Sequence, residues 1–99
     1  MPVAAALLAA GCGTGGKART GDASHGKQLF SQKCAGCHTL ADAGAQGKIG
    51  PNLDQLKPPE ARVVTQVTNG GAVMPAFKDR LTSAQIQAVA KYVSSVAGK

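Results

Sequence analysis

Cys34-Ala35-Gly36-Cys37-His38 constrains this chain more than any other stretch. Its two thiols share one helical turn, and a histidine follows directly. Cys-x-x-Cys-His is the attachment pattern of c-type haem. The thiols add across the porphyrin vinyl groups, and the histidine is then held beneath the iron as its proximal ligand. The chain has three cysteines and two histidines, so the pattern uses most of its metal-binding side chains. Two other chemistries compete for the same residues. A redox disulfide of thioredoxin type needs a βαβ setting, which no part of the sequence supplies. A structural zinc site needs four ligands. It would have to recruit Cys12 or His25, with no second Cys/His pair at a suitable spacing.

The supply of core side chains points the same way. From Cys12 onward there are eighteen large apolar residues: five Leu, seven Val, two Ile, two Phe, one Tyr and one Met. Most of the remaining hydrophobic residues are alanines, which bury little area. The 99 residues make one domain at most. A domain so small and so thinly cored needs a disulfide, a metal or a cofactor for stability. A buried macrocycle would supply the missing apolar contacts. A multi-domain enzyme is excluded by length. A membrane-spanning helix is excluded because no apolar run approaches roughly 18–20 residues.

The chain divides into three parts. Residues 1–11 form a short apolar run ending in small residues, which reads as the tail of a secretory signal; no Lys or Arg precedes the run, so either its positively charged start lies upstream of Met1 or the segment is not a signal. Residues 12–21 are a glycine-rich flexible linker. Residues 22–99 are periodic and form the domain. Asp22 suits an N-cap, with Gly26, Leu29, Phe30 and Lys33/Cys34 following at helical spacing. A second helix starts after Pro58-Pro59, with Glu60 at its positive end. It carries Val63, Val64 and Val67 and stops at Asn69-Gly70-Gly71. Thr82 and Gln85 form a capping box for a third, with Ile86, Val89, Ala90, Val93 and Val96 on one face and Gly98 at its end. Residues 39–57 read as loop, and nothing alternates with period two. The expected fold is all-α, with three or four short helices around one haem.

The second axial ligand decides what such a haem can do. Iron bound by His and Met has a raised potential and no vacancy for oxygen or peroxide, which suits electron transfer. Apart from Met1 the sequence has one methionine, Met74, between Gly70-Gly71 and Pro75. Pro75 biases Met74 toward extended backbone, and the glycines permit a sharp turn before it. A methionine between two helices has little packing reason to be there. His25, on the helix leading into the attachment motif, reads as an exposed helix position.

Residues 22–97 resemble the class I cytochromes c, above all the small bacterial and photosynthetic monohaem forms. The likeness rests on GKQLF-x-x-KCAGCHTL, Gly50-Pro51-Asn52-Leu53, NGGAVMPAF and LTSAQIQAVAKYV. It implies the cytochrome c fold and one haem c held by thioethers at Cys34 and Cys37. It also implies His38 as proximal and Met74 as distal iron ligand, with the Pro51 carbonyl accepting the His38 Nδ1 hydrogen bond. Gly26 and Phe30 of the first helix would pack against Tyr92 of the last. The chain departs from the family in lacking tryptophan; Arg62, Lys57 and Gln66 are the candidates for holding the haem propionates.

Ala9-Ala10-Gly11-Cys12 resembles a lipobox, although Ala9 stands where leucine is usual, with Leu8 one place too early. Lipidation of Cys12 would anchor the protein to a membrane; otherwise Cys12 is incidental in a soluble periplasmic protein. Eleven Lys and Arg against five acids give a formal net charge of +6. With no nucleic-acid-binding motif present, the basic balance points to redox partners with acidic docking patches. These would be a quinol-oxidising complex and a terminal oxidase, met by a monomeric carrier. Lys33, Lys48, Lys78 and Arg80 flank the haem-binding segments and are candidates for the docking rim. A haem peroxidase or small-ligand sensor with an open sixth iron site is the alternative.

Overall fold

A crossing of two helices from opposite ends of the domain sets the frame. The structure, a computed structural model, describes residues 23–99. The signal segment 1–11, the linker 12–21 with Cys12, and the Asp22 cap lie outside the described residues. In chain order the elements are α1 (Ala23–Lys33), strand β1 (Thr39–Leu40), a 3₁₀ turn (Ala41–Ala43), strand β2 (Ala45–Gln46), and helices α2 (Leu53–Leu56), α3 (Glu60–Asn69) and α4 (Ser83–Val96).

Gly26 is where α1 meets α4. A Cβ there would fall on the Ala88 carbonyl and come within 2.8 Å of the Tyr92 Cβ. A glycine inside a helix costs about 0.5–1 kcal/mol relative to alanine, and here the close approach of two backbones accounts for it. One turn on, the Phe30 and Tyr92 rings meet at 6.1 Å between centroids and 60° between planes, a tilted arrangement that aromatic quadrupoles favour. Phe30, Leu40, Val89 and Val93 are the largest fully buried side chains. The Thr82–Gln85 capping box is present, each side chain bonding the other's backbone N–H, and α4 ends at Val96 before Gly98 in the left-handed region. α3 begins after Pro59 and stops at Gly70, with Val63 and Val67 buried.

The stretch 39–57 is more ordered than its sequence suggests. β1 and β2 pair antiparallel, Thr39 opposite Gln46 and Leu40 opposite Ala45. Strands of two residues are too short to show an alternation of period two. Helix α2 also falls within it, capped by Asn52, whose side chain accepts from the backbone N–H of Asp54 and Gln55. His25 departs from its expected exposure too, being half-buried on α1.

Two carboxylates stitch these short elements to the long helices. Asp42 accepts the Tyr92 hydroxyl at 2.5 Å and faces Lys27 at 3.5 Å, joining the 3₁₀ turn to α1 and α4. Asp54 accepts the backbone N–H of Ala41 and of Gly98, each at 2.8 Å, joining α2 to the 3₁₀ turn and to the chain end. Both are held below the usual carboxylate range, Asp42 chiefly by the Tyr92 hydroxyl and Asp54 by the Gly98 and Ala41 amides. A depressed carboxylate stabilises the fold above its unfolded value, about pH 4, and that contribution is lost as pH falls through the lower folded value. Urea midpoints are therefore expected to fall as acid is added below about pH 4. Asp54→Asn is expected to be less stable at neutral pH and to show a shallower acid limb. An acid limb identical to wild type would remove Asp54 from this account.

Candidate cofactor site

The attachment segment continues α1 as a tight turn. Cys34 N–H bonds the Phe30 carbonyl at 2.8 Å, and the N–H groups of Cys37 and His38 both reach the Cys34 carbonyl at 3.1 Å. Cys34 is half-buried and Cys37 exposed. Burial, with the neighbouring Cys37 adding to it, pushes the Cys34 thiol up to about 11, so it is a neutral thiol at pH 7.

His38 is fixed by the loop that follows. Its Nδ1 donates to the Pro51 carbonyl at 2.9 Å. A carbonyl can only accept, so this bond places the ring proton on Nδ1 and leaves the Nε2 lone pair for a metal. Gly50 lies against the ring: a Cβ there would stand 2.6 Å from His38 Cε1. Its N–H bonds the Cys37 carbonyl at 2.7 Å, and Thr39 Oγ1 donates to Gly47 at 2.8 Å. The imidazole is thus held by hydrogen bond on one atom and by contact on its neighbour.

Met74 is presented by the connection from α3 to α4. Gly70, Gly71 and Ala72 all have positive φ, at 67°, 152° and 50°. Gly71 and Met74 exchange backbone hydrogen bonds at 3.0 and 2.8 Å, and Phe77 N–H returns the chain to Val67 at 2.9 Å. Gln66 Nε2 donates to the Gly70 carbonyl at 3.1 Å, a side-chain tie across the start of the turn. Met74 itself is half-buried.

Cys34, Cys37, His38, Pro51 and Met74 all line one open cleft of about 430 Å³, within the roughly 300–1,000 Å³ range of small-molecule and cofactor sites. Its walls are mainly apolar, with Phe30, Val63, Val67, Phe77 and Val93 among them. An imidazole nitrogen, a thioether and two thiols in an apolar slot fit a flat iron porphyrin. They fit zinc poorly: among the described residues no three His, Cys, Asp or Glu side chains are grouped to hold a metal ion.

The family described as "Cytochrome C oxidase, cbb3-type, subunit III" matches residues 21–93. Cytochrome c6 of Rippkaea orientalis is 41% identical over 77% of this chain and 72% of its own length. Cytochrome c6 of Diacronema lutheri is 39% identical over 79% of this chain and 100% of its own. The crystal structure of the c-type cytochrome SorU from Sinorhizobium meliloti superposes with a TM-score of 0.72 at 55% identity, covering 77% of this chain and 91% of that one. Cytochrome c6 from the diatom Phaeodactylum tricornutum gives 0.63 at 39%, covering 78% and 95%. The chain belongs to the class I cytochromes c. It is a monohaem c-type cytochrome with one covalently attached haem c, and it transfers electrons.

Of the cytochrome's expected rim cations, Lys33 lines the cleft; Lys48, Lys78 and Arg80 are exposed but do not, and Arg80 stands over the Phe77 ring at 5.9 Å. Of the three candidates for the propionates, Arg62 and Gln66 line the cleft and Lys57 does not. His25 is also absent from the lining. Three lining residues had gone unnoticed in the sequence for this purpose: Ile49, Leu56 and Val73, exposed by 68%, 48% and 77%. Their signal, single large apolar side chains among polar neighbours, is visible but weak, because single exposed apolar residues are normal.

Proposed function

We propose that Cys34 and Cys37 carry the two thioether bonds to the haem, that His38 and Met74 are its iron's axial ligands, and that the protein is a one-electron carrier, not an enzyme. One observation carries this reading: separate segments of the chain bring both thiols, the oriented imidazole and the methionine to a single apolar cleft. Bound haem would supply the ferric/ferrous couple. Pro51 and Gly50 hold the His38 ring and so fix the direction of its Nε2 lone pair. Met74 would hold the iron through its thioether, which would favour the ferrous state and leave no vacancy for oxygen or peroxide. The apolar walls would limit water at the metal.

The partners are redox proteins with acidic docking patches, a quinol-oxidising complex and a terminal oxidase, met through a basic surface of net charge +6 by a monomer. No nucleic acid is bound. Covalent haem attachment places the domain, residues 22–99, outside the cytoplasm. Residues 1–11 direct export, Cys12 is lipidated, and residues 13–21 form the tether. Among the described residues no helix is long and apolar enough to cross a membrane; the membrane retention proposed here is through Cys12. Cys12→Ser should then move the haem from the detergent-released membrane fraction to the soluble periplasm. A wild-type protein already soluble there would refute the anchor alone.

The optical spectrum of purified wild-type protein tests the function. The oxidised form is expected to show a sulfur-to-iron charge-transfer band, and the reduced form to resist carbon monoxide. A wild type that binds carbon monoxide readily and turns over peroxide would replace the carrier with the open-site peroxidase or sensor.

A further inference from the structure

Burial does not hold the Pro51 carbonyl that receives the His38 Nδ1–H. Pro51 is exposed, and its partner lies 13 residues earlier in the chain. The proline ring fixes φ, so ψ is the one torsion left to turn that carbonyl. The peptide is planar, and turning the carbonyl also turns the N–H of Asn52. Whatever fixes Asn52 therefore fixes the acceptor of the His38 proton. Asn52 is held from two sides. It forms an isolated parallel bridge with Thr39, the residue that follows His38. It is also the N-cap of α2. Its side-chain oxygen accepts from the Asp54 and Gln55 N–H at 2.9 and 3.3 Å, and its carbonyl from Gln55 and Leu56 at 3.2 and 3.0 Å. A single helical turn is too short to stand alone. This one is anchored through Leu53, buried in the cleft wall, and through Asp54 on the Ala41 and Gly98 amides.

The Asn52 side chain is thus the link between an anchored turn and the peptide plane that carries the Pro51 carbonyl. We propose that Asn52 is a positioning residue for the His38 imidazole: its cap on α2 keeps the Pro51 carbonyl on His38 Nδ1. A hydrogen bond from the far nitrogen makes an imidazole a more basic ligand, and a more basic ligand favours ferric iron. Asn52 would therefore lower the potential of a bound haem, against the pull of the Met74 thioether toward ferrous iron. The proposal rests on the His38 ligation given under Proposed function.

The test compares the holoproteins of wild type, Asn52→Ala, Asn52→Ser and Thr82→Ala. Thr82→Ala removes an N-cap of the same kind from α4, and Thr82 is not part of the cleft lining. Two quantities are read at neutral pH: solvent exchange of the His38 Nδ1 proton, by NMR of the reduced protein, and the midpoint potential. Asn52→Ala is expected to exchange that proton at least about threefold faster, as the loss of a cap implies. It should also be at least about threefold more reduced at a fixed poise, because the imidazole is then the less basic ligand. Asn52→Ser should return both quantities to wild type, since serine caps about as well as asparagine. Thr82→Ala should match wild type in both while unfolding at lower urea. If Asn52→Ala and Thr82→Ala coincide in both quantities, Asn52 is a stabilising cap and the positioning role is overturned alone. A wild type whose His38 ring shows no hyperfine shift in the oxidised state overturns the ligand reading, and this inference with it.

Discussion

Replacing both Cys34 and Cys37 with alanine is expected to give a chain that cannot keep its helices. The cleft these residues line is about 430 Å³ and is walled by Val63, Val67, Phe77, Val89 and Val93 from α3, α4 and the loop between them. Without the haem those apolar walls face water and the burial they would gain against the macrocycle is lost. The whole stability of a small domain is about 5–15 kcal/mol, and a domain with so thin a core has little of it to spare. Far-UV circular dichroism of the double variant should show less than about half the wild-type helix signal and no cooperative unfolding, as expected for a domain this small without its staple. Mass spectrometry should find haem retained through denaturation in wild type and absent from the variant. A haem-free variant with native helix content and a sharp urea transition would show that the side chains alone make a core, and the argument from the thin core would fail.

Met74→Ala is expected to keep the haem and change its chemistry. The turn that presents Met74 is closed by backbone bonds between Gly71 and Met74 and by Gln66 on the Gly70 carbonyl, none of which needs the methionine side chain. The fold should survive while the sulfur is lost. The sulfur-to-iron band should vanish from the oxidised spectrum and the reduced form should take up carbon monoxide. The midpoint potential should fall by at least about a hundredfold in the reduced-to-oxidised ratio, taking 59 mV per tenfold for one electron. A variant with the wild-type potential and band would show that another side chain occupies the position.

The helices that were legible in the sequence are those whose signals are local. The capping box of α4, the Pro-Pro start and Gly-Gly stop of α3, and the spacing of Leu29 and Phe30 in α1 are each written within one element. The cofactor motif is local as well, five consecutive residues. What escaped is written across the chain. Two-residue strands have no periodicity to detect; they pair with each other, with Leu40 and Ala45 buried and β1 packed against helix α2. The roles of Asp42 and Asp54 depend on Tyr92 and Gly98, near the other end of the domain. Helix α2 did have a local signal, Asn52 ahead of an acid in the first turn, but four residues are too few for apolar spacing to support it. In the cleft, the thiols, imidazole and methionine were legible by type and spacing.

The Gly26–Ala88 contact also fixes an order of events in the making of the protein. Its two halves leave the ribosome, and cross any export channel, at different times. The 34–38 segment follows α1 immediately, whereas α4, which brings Val89 and Val93 to the cleft, is made last. At about 5–20 residues per second the interval lasts seconds, long compared with the microseconds a helix needs to form. Until α4 docks, the groove lacks the wall that Val89 and Val93 supply. Arrival of α4 then closes the domain by a contact of long sequence separation, a slow class of folding step. The wall that α4 supplies is therefore the last to form, and closure of the cleft on that side depends on the contact at Gly26.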